Sequence, residues 1–110
     1  MRRDPERPPG EFLLILTASL EGADVRTVEG LARGDELDPL QEAFIELGAT
    51  QCGYCIPGML MTARALLDEN PHPSEEEVKR ALAGNICRCT GYVKIIEAVL
   101  SASERATSDI

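Results

Sequence analysis

Four cysteines in two close pairs set the strongest limit on how this chain can fold. Cys52 and Cys55 form C-x-x-C, Cys87 and Cys89 form C-x-C, and the 110 residues contain no other cysteine. The pairs stand in Gln51-Cys-Gly-Tyr-Cys-Ile-Pro-Gly58 and in Asn85-Ile-Cys-Arg-Cys-Thr-Gly-Tyr92. Thiols paired this closely, with the pairs far apart in the chain, point to a metal site whose two halves the fold must bring together. The rest of the chain is then scaffolding for that meeting.

The scaffold is helical. Asp38 is placed to cap a helix, Pro39 suits its first position, and Leu40, Ala43, Phe44 and Leu47 recur at helical spacing before Gly48 ends it. A second helix begins around Ile56-Pro57, carries Ile56, Leu60, Ala63 and Leu67 on one stripe, and stops at Asn70-Pro71-His72-Pro73. Ser74 with Glu77 fits a capping box for a third helix with Val78, Ala81 and Leu82 on its stripe, ending at Gly84. A fourth runs from about Val93 with Val93, Ile96, Val99 and Leu100 apolar, and is expected to fray from Ser101 onward. The expected fold is all-α, a four-helix bundle with two cysteine loops at one end. Each cysteine pair just precedes a helix, where unpaired backbone N–H groups favour thiolates and the negative charge of a sulfur-ligated cluster.

Ahead of the helices the signals are weaker. Residues 1–11 are charged and Pro-rich and are expected to be a disordered lead-in. Residues 12–37 hold a short apolar block, Phe12 to Leu20, a turn, and an alternation over Val25 to Val28 that suits a short extended segment. The helical domain is expected over 38–103, with a flexible tail at 104–110.

Composition narrows the function classes. Aromatic residues make up 4% and Trp is absent, so the core is mainly aliphatic and a cofactor that crosslinks it would matter for stability. A formal charge of -8 with no basic cluster argues against nucleic acid or an anionic membrane as partner. The longest apolar run, Phe12 to Leu16, is far short of the roughly 20 residues of a membrane span. With no secretory signal legible at the start, the expected location is cytoplasmic, where cysteines serve as ligands or reactive thiols more often than as disulfides.

Spacing alone leaves three readings of the four thiols open. A tetrathiolate zinc site is usually built from two C-x2-4-C knuckles, and C-x-C is an uncommon half of one. Unligated buried cysteines, or adventitious disulfides, would be an odd use of four cysteines in two short-spaced pairs. A 2Fe-2S cluster needs two terminal thiolates on each of two irons, which two pairs from two loops supply.

The residues around the thiols narrow this further. Leu40-Gln41-Glu42-Ala43-Phe44, the Gln51 to Gly58 motif with its C-x-x-C-x-P-G, and Gly84-Asn-Ile-Cys-Arg-Cys-Thr-Gly-Tyr92 closely resemble the helical iron-sulfur domain of the molybdenum hydroxylases, the group of xanthine oxidase, aldehyde oxidoreductase and aerobic carbon monoxide dehydrogenase. The resemblance covers roughly residues 12 to 103. It implies one 2Fe-2S cluster on Cys52, Cys55, Cys87 and Cys89, and Gln51 and Cys89 facing the molybdopterin of a large partner subunit. It further implies an FAD-binding medium subunit as the eventual electron acceptor. In that family a plant-type ferredoxin domain with its own cluster precedes the helical domain, whereas here no cysteine stands before Cys52. Residues 12–37 then resemble the remnant of, or connector from, that domain. A truncated gene, a misplaced start or a separately encoded half would each account for it.

The resemblance thus implies an electron-transfer subunit with no substrate-converting site of its own. Its rivals are a zinc-stapled helical interaction module and a nonfunctional truncated fragment. Gly53, Gly58 and Gly91 are expected to permit tight loops around a bulky cluster. Arg88 would offset cluster charge or sit in solvent, Tyr54 and Tyr92 would pack, and His72, between two prolines, would lie on the surface. Glu75, Glu76 and Glu77 favour a helix N-terminus and form no acid/base pair.

Overall fold

Asp38 starts the helical part of the molecule in the way its neighbours dictate. Its carboxylate accepts from the Leu40 N–H at 2.9 Å, and the Gln41 side chain reaches back to accept from the Asp38 N–H at 2.9 Å, completing a reciprocal cap with Pro39 in the first turn. The computed structural model describes residues 16–22 and 25–108, and side chains as far as 105. Within these it has four α-helices: α1 (Pro39–Glu46), α2 (Ile56–Glu69), α3 (Glu75–Leu82) and α4 (Val93–Ser108). Two short 3-10 turns, Thr17–Leu20 and Val28–Gly30, precede them.

The end of α2 and the start of α3 fall where the punctuation places them. Asn70, ahead of Pro71, takes extended backbone (φ -136°, ψ 97°) and closes α2. Ser74 Oγ accepts from the Glu77 N–H at 3.3 Å, but the Glu77 carboxylate turns to the Ser74 hydroxyl and the Asn70 amide rather than to the Ser74 backbone. The reciprocal box expected on α3 is therefore only half made, and the full one stands on α1.

The helices form a closed ring of neighbours in which α1 packs on α2 and α4, and α3 packs on the same two. Leu40 and Phe44 of α1, Met59 of α2, Val78 of α3, and Ile95 and Val99 of α4 are the largest fully buried side chains. The all-α expectation and the stripes of α1, α2 and α3 agree with this core. On α4 the register differs: Ile95, Ala98, Val99 and Ala102 face inward, Ile96 and Leu100 are half-buried, and Val93 is exposed. The run Val93 to Val99 offers two overlapping apolar stripes, and the backbone entering α4 selects between them.

Nor does α4 fray at Ser101. It continues to Ser108 because Ala102 and Ser103 are buried and Arg105 pairs with Glu46 on α1. The polar residues that look like a fraying end form the outer face of a packed helix. Of the short extended segment expected at Val25 to Val28, Val25 is a β-bridge residue and Thr27 is extended (φ -119°, ψ 176°), but no strand develops because Val28 opens a 3-10 turn that packs on α2. Further along the connector Arg33 and Glu36 exchange backbone hydrogen bonds at 2.8 and 3.1 Å. The lead-in at 1–11 lies outside the described residues. Among the described residues no helix is long and apolar enough to cross a membrane.

Candidate metal centre

The first cysteine loop joins α1 to α2 and the second joins α3 to α4, so the helix ring brings both to the same end of the bundle. There Cys89 Sγ lies 3.5 Å from Cys52 Sγ, and the thiols of Cys55 and Cys87 also meet side chain to side chain. The sulfurs are thus sorted as two pairs, each taking one member from each loop. Among the described residues no three His, Cys, Asp or Glu side chains converge as a single-ion site. Cys52 and Cys89 are exposed, Cys55 is half-buried and Cys87 is buried. One pair therefore faces outward and the other faces the core.

The thiols of each pair are electrostatically opposed. Burial first, and then its contact with Cys87, pushes Cys55 up to about 11, while the Thr90 hydroxyl and then the Thr90 N–H bring Cys87 down to about 7. In the outer pair the Tyr54 N–H and then the Cys89 thiol lower Cys52, whereas the hydrogen bond to Cys52 raises Cys89. Each pair thus sets one thiol that favours the thiolate against one that resists it. A metal ion held between them would stabilise both as thiolates. The donor set fits two irons, each with two thiolates, and the family pattern of a 2Fe-2S rhomb.

A small ring of hydrogen bonds shapes the second loop. The Cys87 N–H donates to the Tyr92 hydroxyl at 2.9 Å, the Tyr92 N–H donates to Thr90 Oγ1 at 3.1 Å, and the Thr90 N–H points at Cys87 Sγ at 3.4 Å. Thr90 Oγ1 also sits 3.0 Å from that sulfur. To close the ring, Gly91 and Tyr92 both take left-handed backbone, at φ 68° and 72°. For glycine this costs little, but for tyrosine it is strained by about 1–2 kcal/mol. The two hydrogen bonds of Tyr92 and its packing against the core hold it there. Tyr92 is a packing residue as expected, and it is also the clasp of the loop.

Gly58 differs from the expectation of a loop glycine. It lies in the first turn of α2, and a Cβ there would stand 2.8 Å from Asn85 Oδ1. Asn85 is in turn held by its amide donating to Thr62 Oγ1 at 3.0 Å. The glycine of the first motif thus leaves room for the asparagine of the second, whose amide ties the second loop to α2 through Thr62.

The other sequence candidates are placed as follows. Gln51 is exposed at the outer pair's end of the first loop, and Arg88 is exposed between its two cysteines. Tyr54 does not pack: it is 94% exposed, because the turn through Gly53 points residue 54 outward. His72 is exposed in its turn, and Lys79 answers Glu75 at 2.8 Å on the solvent side of α3. Thr90, Asn85 and Thr62 escaped residue-by-residue reading, since each acts through a contact set by tertiary geometry. The signal that could have found Thr90 is its position directly after C-x-C, within reach of both thiols.

Residues 27–100 match the family of [2Fe-2S] binding domains. The chain is 49% identical over 94 residues to the nicotinate dehydrogenase small FeS subunit of Eubacterium barkeri, covering 86% of this chain and 60% of that protein. It is 56% identical over 89 residues to the nicotine 6-hydroxylase small subunit of Paenarthrobacter nicotinovorans, covering 81% and 53%. Among solved structures, quinoline 2-oxidoreductase from Pseudomonas putida 86 superposes with a TM-score of 0.80 at 47% identity, covering 86% of this chain and 60% of that one. The chain thus spans little more than half the length of these three relatives.

Proposed function

This chain belongs to the [2Fe-2S] binding domain family, and from that premise we propose that it is the electron-transfer part of a molybdenum-pterin hydroxylase or dehydrogenase. It holds one [2Fe-2S] cluster, with Cys52 and Cys89 on one iron and Cys55 and Cys87 on the other. The observation that carries this is the cross-loop pairing of the thiols, with Cys89 Sγ 3.5 Å from Cys52 Sγ. Each iron then draws one ligand from each loop, so a cluster can form only when both loops are in place.

The burial gradient supports a direction for the relay. The outer pair is exposed together with Gln51 and Arg88, and Tyr54 (94%), Ile86 (83%) and Val93 (61%) expose apolar surface in and beside the same loops. Such a rim around a redox group suits a protein interface. On this face Gln51 and Cys89 meet the molybdopterin of a large partner subunit, and the electrons go on toward an FAD-binding medium subunit. The cluster supplies one-electron chemistry, and this chain positions it, shields its inner side and tunes its sulfurs. Substrate conversion belongs to the partner, and the whole assembly works in the cytoplasm.

Anaerobic purification tests the cluster. The expected product is brown protein with two irons and two labile sulfides per chain, giving a rhombic EPR signal after dithionite. Colourless protein with stoichiometric zinc would overturn the reading in favour of a zinc-stapled module.

A further inference from the structure

We propose that Thr90 is a positioning residue that sets the reduction potential of the cluster through a hydroxyl hydrogen bond to the Cys87 sulfur. The inference rests on the cluster reading above and goes beyond it, because it assigns a tuning role to a side chain that ligates nothing.

The direction of the hydrogen bond follows from the ring of contacts. Thr90 Oγ1 already accepts from the Tyr92 N–H at 3.1 Å, so its own proton is free to point elsewhere. Its neighbour in that direction is Cys87 Sγ at 3.0 Å. A metal-bound thiolate has no proton to give, which leaves the hydroxyl as donor. The Thr90 N–H reaches the same sulfur at 3.4 Å, so one residue supplies two donors to one ligand. Cys87 is buried, with 6% exposure, so water has little access to replace a donor lost there.

The sign follows from charge. Reduction adds one negative charge to the cluster, and part of it resides on the thiolates. A donor at a buried sulfur stabilises the reduced form more than the oxidised one and raises the potential. The backbone N–H survives substitution by valine, serine or alanine, so these variants isolate the hydroxyl. Tyr92 in its left-handed backbone holds the acceptor side of Thr90, which keeps the hydroxyl rotor aimed at the sulfur.

The test is an EPR-monitored redox titration of the full iron-loaded chain and its Thr90→Val and Thr90→Ser variants. T90V is isosteric and lacks the donor, and it should shift the reduced-to-oxidised ratio at a fixed poise about threefold to tenfold toward oxidised. That is ~30–60 mV lower, at about 59 mV per tenfold for one electron. T90S keeps the hydroxyl and should stay within about twofold of the parent. A parent signal with an unchanged potential in T90V overturns this inference alone, whereas a parent chain without the rhombic signal overturns the cluster reading and this inference with it. If T90V loses its cluster, Thr90→Ala repeats the measurement without adding a branched apolar group beside the sulfur. Loss from both T90V and T90A, with retention in T90S, would also overturn the proposal, because it would assign the hydroxyl to holding the cluster instead of tuning it.

Discussion

At the scale of single residues, the cysteine motifs contain side chains that act only through one another. Gly58 and Asn85 are the clearest pair, since a Cβ on the first would stand 2.8 Å from Oδ1 of the second, which Thr62 holds through the same amide. Overpacking of this kind costs about 1–3 kcal/mol, while replacing a helical glycine by alanine returns up to about 1. Gly58→Ala should therefore destabilise the iron-loaded chain by ~1 kcal/mol net in thermal or denaturant unfolding. In an Asn85→Ala background the obstructing oxygen is gone, and the same substitution should become neutral or stabilising. Equal effects in both backgrounds would show that the two residues do not oppose each other.

Among the elements, α1 depends most on a single side chain. Asp38 caps its N-terminus and both its carboxylate oxygens accept from Arg64 on α2 at 3.1 Å, so one residue fixes the helix start and ties it to its neighbour. The Arg64 Nε lies 3.3 Å from Asp68 but out of hydrogen-bond alignment, which leaves Asp38 as the better-oriented partner. Asp38→Ala removes cap and ion pair together and should cost about 1–2 kcal/mol. Asp38→Asn keeps an N-cap oxygen and gives up only a partly solvated ion pair, so it should cost less than about 1 kcal/mol. Chemical denaturation of the two variants checks the ordering, and an Asn variant as unstable as the Ala variant would place the stabilisation in the ion pair. The α4 helix teaches the complementary point. Its last two turns are polar in sequence, yet they stay helical because Ala102 and Ser103 are buried and Arg105 reaches Glu46. Tertiary contact there overrides a local pattern that reads as an end.

For the molecule as a whole, the metal centre completes the ring of helices. Among the described residues Phe44 is the buried aromatic in a core otherwise built mainly of Leu, Ile, Val, Ala and Met, and the two loops bring their thiols together at Cys52–Cys89 and Cys55–Cys87. Four sulfurs brought this close repel one another as thiolates unless a cation lies between them, so the loops are held together better with the cluster than without it. Cys87→Ser, or removal of iron by acid and chelator, should strongly lower helicity in far-UV circular dichroism. A spectrum unchanged from the iron-loaded parent would show that the helices pack without the cluster.

The sequence by itself determined the donor set and the plan: four thiols in two loops, each loop just ahead of a helix, with capping residues and prolines marking where most of the helices begin and end. Those features are local, because a cap or a C-x-x-C is recognised within a few residues of itself. Only the tertiary structure decided which thiol meets which, that Tyr54 points outward while Tyr92 clasps the second loop, and that α4 turns Ile95 rather than Val93 to the core. Spacing cannot fix these, since the thiol pairing depends on how the helices pack, and the two tyrosines and the start of α4 depend on left-handed turns and hydrogen bonds that the motif letters do not specify.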